Sequence, residues 1–251
     1  MIEILYYLGI SLLLQVVFFI PAFIFKTDAF TDMTYSLTFI ILAVLAYTKS
    51  PMTLSHTILY ALILIWALRL GIYLVYRIHK FGGRDKRFDG MREKFTSFAK
   101  FWLGQGIVVW VLMIPYFILM TSPFAYFEAL IIGASIFILG FLFESIADFQ
   151  KIRFILNPKN KGKWIDSGLW SISRHPNYFG EILIWIGVFA ITLSPNPITW
   201  VGIISPIFIS LTLIFVTGLP PLEKSADKKW GKNKDYQKYK RNTSILIPFI
   251  K

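Results

Sequence analysis

The chain has 251 residues, of which 56% are hydrophobic and 18% aromatic, and its mean hydropathy is +0.61. Soluble domains are about 45–50% apolar, so an ordinary soluble globular fold is excluded. Cys is absent and the three His residues are scattered. That excludes disulfides and thiolate sites and leaves no close metal-ligand spacing, so no metal is expected. The net charge of +12 fits basic cytoplasmic loops of a membrane protein better than a nucleic-acid binder.

Apolar runs of bilayer-crossing length predict spans over residues 2–25, 30–48, 54–78, 98–121, 124–150, 177–193 and 197–218. The N-terminus lacks a basic region followed by a small-residue cleavage site, so it reads as a retained first helix. The fold class is therefore all-α: a polytopic membrane protein, a bundle of about seven transmembrane helices in one domain over residues 1–251. A polar, basic tail follows, in which residues 222–240 form an amphipathic segment with Trp230, Tyr236 and Tyr239 among lysines. Such a segment suits anionic headgroups or a lid over the site.

The loop at 80–100, the loop at 151–176 and the tail hold 22 of the 26 Lys and Arg residues. With seven spans all three fall on one side, which puts the N-terminus outside and the C-terminus in the cytoplasm.

Polar side chains recur toward that basic side. Arg69 lies about nine residues, or about 14 Å, inside the third span. Glu144 and Asp148 share a helix face, with Lys151 three residues on. Asn177 and Glu181 share a face of the sixth span. Pro176 suits a first helical turn, and the free N–H groups there, beside Arg174 and His175, favour a phosphate or carboxylate. A structural ion-pair network is the plain alternative. A polar pocket explains better why several spans bring ionisable groups to matching depth. No Walker or dinucleotide-fold glycine motif is present.

Four blocks carry a family resemblance: Trp66 to Leu74 with Arg77 and residues 83–88; Gly104-Gln105-Gly106; Glu144 to Lys151 through Gly168-Leu169-Trp170 to Arg174-His175-Pro176-Asn177-Tyr178-Phe179-Gly180-Glu181; and Gly218 to Lys224 with Tyr236, Tyr239 and Ile247-Pro248-Phe249. In these the chain resembles the steroid 5-alpha-reductase superfamily, and most closely its bacterial, DUF1295-like branch. The resemblance implies NADPH held by the half from about residue 66 to 251, in a protein of the bacterial inner membrane. It implies reduction of a carbon–carbon double bond in a hydrophobic, steroid- or isoprenoid-like enone. Asn177 and Glu181 match positions that contact the nicotinamide amide, and Asp148 matches a cofactor-contacting aspartate. Lys163 falls where the steroid reductases have a phosphate-binding arginine, and Tyr236 and Tyr239 lie in the closing tail. With Lys151, Arg174, His175, Tyr178 and Glu223 these make the expected cofactor set, and Trp66, Arg69, Gln105 and Glu144 are candidates for the substrate pocket. Trp66 stands where the steroid reductases have a catalytic tyrosine, and their Gln-Glu pair has no counterpart in the first 50 residues. Tyr73 and Tyr178 are then the acid candidates.

The pattern Arg174-His175-Pro176-x-Tyr178-x-Gly180 is also similar to isoprenylcysteine carboxyl methyltransferases, which use S-adenosylmethionine, although Glu223-Lys224 replaces their Glu-Glu. A non-catalytic lipid-binding protein is the third reading. The partners expected are the lipid bilayer and a hydrophobic small molecule, not nucleic acid.

Overall fold

The computed structural model describes residues 2–80, 88–122 and 126–250. Among them run nine α-helices: α1 Ile2–Ile24, α2 Ala29–Tyr47, α3 Leu54–Lys80, α4 Phe95–Met120, α5 Phe127–Leu156, α6 Pro176–Thr192, α7 Ile204–Leu211, α8 Leu219–Trp230 and α9 Lys234–Asn242. Among the described residues six helical stretches are long and apolar enough to cross a membrane, and α6 is a shorter apolar helix. The protein is an integral membrane helix bundle. Residues 83–87 of the first family block, and residues 124–125 of the fifth expected span, lie outside the described residues.

The chain separates into two compact units, Met1–Leu130 with Ile191–Ser205, and Ile131–Ala190 with Pro206–Lys251. In the first, α1 and α2 pack on α4, and α2 packs on α3. Two thirds of α4's apolar window is buried, against 44% or less in the other spans, so α4 is the core of its unit. Lipid removes the hydrophobic drive between helices, which leaves packing and buried hydrogen bonds to hold them. Ser11 Oγ donates to the Gly106 carbonyl at 2.8 Å, Ser36 Oγ to that of Ala67 at 2.6 Å and Tyr116 Oη to that of Ala43 at 2.8 Å. Gln15 donates to Thr38 at 3.0 Å and accepts from Gln105 at 3.1 Å. At the end carrying the α1–α2 turn, Arg92 pairs with fully buried Asp28 at 2.5 Å, and Arg77 pairs with Asp32 at 2.9 Å. These acids tie the helix connections of the unit together.

In the second unit α5 runs six residues past the sequence expectation. Lys151 and Arg153 read as loop residues, yet helix continues until Asn157, whose successor Pro158 forces it out of helical geometry. α5 and α6 meet backbone to backbone. A Cβ on Gly180 would stand 2.5 Å from the Glu144 amide nitrogen and 2.6 Å from the Gly140 carbonyl oxygen, so only glycine permits this approach. The final span is irregular: a 3-10 turn over Pro197–Ile203, then α7, then a π turn over Thr212–Val216. The tail is two helices, not one amphipathic segment. It breaks because the Asn233 side chain accepts from the amides of Asp235 and Tyr236 and starts α9 afresh.

Candidate functional site

The short connection between α5 and α6 builds the site. Gly168 has φ +61°, a conformation that suits glycine, and this turns the chain back on α5. There the Leu169 amide donates to Gln150 Oε1 at 3.0 Å, and Trp170 Nε1 donates to the Ala147 carbonyl at 3.1 Å. Lys151 Nζ sits 5.0 Å above the Trp170 ring, a cation–π contact. Farther on, the Arg174 amide donates to the Ser244 carbonyl at 2.8 Å, and Ser173 Oγ donates to the Leu246 carbonyl at 2.7 Å. The end of the chain is thus stitched to the segment before α6, which opens at Pro176 as the sequence suggests.

The tail helices clasp the same segment. Glu223 of α8 accepts from Arg174 Nη1 and, at 2.8 Å, from His175 Nε2, and Lys240 of α9 lies 3.5 Å away. Lys240 also holds Asp227 at 2.6 Å. Tyr239 Oη donates to the Trp170 carbonyl at 2.7 Å, and Trp230 Nε1 donates to the Gly162 carbonyl at 2.7 Å. A carboxylate can only accept, so ionised Glu223 places the imidazole proton on Nε2. Burial pushes His175 below its ordinary pKa, against the opposing pull of its bond to Glu223. Burial pushes the Tyr239 phenol up. Burial alone would lower Lys240, but its bond to Asp227 and the charge of Glu223 outweigh that and hold the ammonium above its usual range.

Between these parts lies a cleft of about 300 Å³, at the small end for a ligand site. Lys151, Lys163, Arg174 and Lys229 give it positive charge, and Trp164, Trp170, Trp230, Tyr236 and Tyr239 give it aromatic walls. Among the described residues, two donors here, Arg174 Nε and Trp164 Nε1, are buried without a hydrogen-bond partner. Buried donors are normally satisfied. A cationic, aromatic cleft with donors to spare fits an anionic group that carries a flat ring.

The family model described as "Protein of unknown function (DUF1295)" matches residues 18–243. The chain belongs to the DUF1295 family. It is steroid 5-alpha-reductase-like: the steroid 5-alpha-reductase DET2 of Arabidopsis thaliana is 29% identical to it over 122 residues, 48% of this chain. The match spans 41% of that relative's own length. No solved structure matches the chain.

Of the cofactor set expected for this DUF1295 protein, Lys151, Lys163, Arg174, His175, Glu223, Tyr236 and Tyr239 all line the cleft. Glu223 gathers the cations there. Asp148 is buried on α5 and accepts from Asn177 Nδ2 at 3.3 Å. Tyr178 stacks on the His175 ring, with centroids 5.6 Å apart. Glu181 is half-buried one turn along α6 from Asn177, and Glu144 is buried at the α5–α6 contact. Trp66, Arg69, Tyr73 and Gln105 belong to the first unit. There Trp66 is fully buried edge-on to Phe39, and Gln105 bonds Gln15 and the Thr31 carbonyl. Sequence reasoning passed over Trp164 and Lys229. The one trace of Trp164 in the sequence is weak, a lone indole in the basic stretch Lys161-Gly162-Lys163-Trp164; in the structure its ring packs edge-on to Trp230 and Tyr236.

Proposed function

We propose that the protein is an NADPH-dependent membrane reductase that reduces a carbon–carbon double bond in a hydrophobic enone of steroid or isoprenoid type. The observation that carries this is the cleft of the second unit, where cations and indoles surround two unsatisfied buried donors. The likeness to a plant steroid 5-alpha-reductase supports the reaction class.

In this reading Lys151, Lys163 and Arg174 hold the phosphates of NADPH, and the indoles of Trp164 and Trp230 flank its base. Asp148, Asn177 and Glu181 hold the nicotinamide amide, since a carboxylate accepts its N–H and a side-chain amide can donate to its oxygen. The bound cofactor supplies a hydride. The protein's part is to fix the ring, exclude water and stabilise the negative charge that develops on the enone oxygen. Tyr178, stacked on His175, is the hydroxyl donor assigned to that oxygen. In this reading the basic tail faces the cytoplasm, where NADPH is available.

The test is thermal. A ligand at a hundredfold excess over its Kd stabilises by about 2.7 kcal/mol. NADPH should therefore raise the Tm of detergent-solubilised protein by several degrees, and S-adenosylmethionine should leave it unchanged. A rise with S-adenosylmethionine alone would replace this reading with methyl transfer. No rise with either would favour a lipid-binding protein without catalysis.

A further inference from the structure

The first unit carries a second concave site. Between α2 and α3 lies a groove of about 720 Å³ whose walls include Leu37, Ile40, Leu68, Ile72 and Val75. Ile72 is 71% exposed and Leu68 51%, so the apolar wall opens outward from a helix that spans the bilayer. The floor is built by close packing. Ser36 Oγ donates to the Ala67 carbonyl, and a Cβ on Gly71 would come within 2.5 Å of that hydroxyl oxygen.

The groove is polar at one end only. Tyr76, His79 and Lys80 close it at the C-terminus of α3, with Lys80 Nζ 5.7 Å above the Tyr76 ring. Among the described residues no acidic side chain lines it, and nearby Asp32 is neutralised by Arg77. From Leu68 to Lys80 the helix rises about 18 Å, close to half of a hydrocarbon core about 30 Å thick. One acyl chain laid along the apolar wall would then bring its headgroup to Lys80.

We propose that this groove binds a phospholipid with an anionic headgroup, the acyl chain along α2 and α3 and the phosphate against Lys80 and His79. A basic side chain at an anionic lipid surface contributes about 1 kcal/mol, roughly fivefold in affinity. The site is independent of the nucleotide reading.

The experiment is native mass spectrometry of the full chain in detergent, with phosphatidylglycerol or phosphatidylcholine of identical chains added. The wild type should keep one phosphatidylglycerol under activation that strips phosphatidylcholine, with a preference of about fivefold or more. Combining His79→Gln with Lys80→Gln should bring that preference close to one. Val75→Trp changes an exposed wall residue and should displace both lipids by filling the groove. Equal retention of the two lipids by the wild type would overturn the proposal. So would a preference that survives the double substitution, since that would place the anionic lipid on the tail lysines, and so would retention unaffected by Val75→Trp.

Discussion

Glu223→Ala tests how the tail is held over the cleft. The side chain is 17% exposed and accepts from Arg174 and His175, with Lys240 alongside. Removing one partner of a fully buried ion pair costs about 3–5 kcal/mol, whereas exposed pairs are worth about 1 kcal/mol or less. A carboxylate at this depth falls between, and about 2 kcal/mol is expected. The Tyr239 bond to Trp170 and the Lys240 bond to Asp227 do not involve Glu223, so α8 and α9 should loosen without unfolding. In hydrogen-exchange mass spectrometry, amides of α8 and α9 should lose about thirtyfold in protection, the equivalent of 2 kcal/mol, while α1 to α4 stay unchanged. Glu223→Gln keeps an acceptor for Arg174 and should lose less. Wild-type protection of α8 and α9 in the alanine variant would refute the clamp.

Three further outcomes follow from the packing and the titration. Gly180→Val must push α5 and α6 apart, because its Cβ would meet backbone of Glu144 and Gly140; a loss of about 3 kcal/mol or more in denaturation is expected. Gly104→Ala meets nothing within 4 Å and should be neutral or slightly stabilising. His175 gives a pH dependence. Its folded-state pKa lies below the ordinary 6.5, so the unfolded chain binds the extra proton and stability falls with acidity. The contribution is complete above about pH 6.5 and is lost as the pH falls through the folded-state pKa. His175→Gln should flatten the decline of Tm between pH 7 and 5, and an unchanged slope would exclude His175 as its source.

Most of the bundle was legible because a bilayer span is a property of composition: runs of apolar residues fix α1 to α4 within a turn at each end. Pro176 marked the start of α6 correctly because proline is tolerated at a first turn and hardly elsewhere in a helix. The extension of α5 was missed because Lys151 and Arg153 look like loop residues, although cations near a helix C-terminus are favourable. The break in the tail was missed because a capping asparagine at 233 is a short-range signal inside a long amphipathic pattern. Asp28 and Asp32 carry no local signal in the sequence. Their partners, Arg92 and Arg77, lie 64 and 45 residues away, and no local pattern reveals such a pairing. In the cleft, the basic residues could be read from the family motifs. Trp164 could not, since one indole in a polar loop has no periodicity to place it.

Under the proposed function, the cleft between the α5–α6 connection and the tail holds a reduced nicotinamide dinucleotide phosphate. Tryptophan fluorescence tests it most directly, because reduced nicotinamide absorbs where indole emits and three indoles line the cleft. NADPH should quench wild-type emission saturably, and Lys163→Gln should raise the apparent Kd about tenfold by removing a charge-assisted contact. Emission that NADPH does not quench saturably, or an affinity unchanged in Lys163→Gln, would rule out this cleft as the NADPH site.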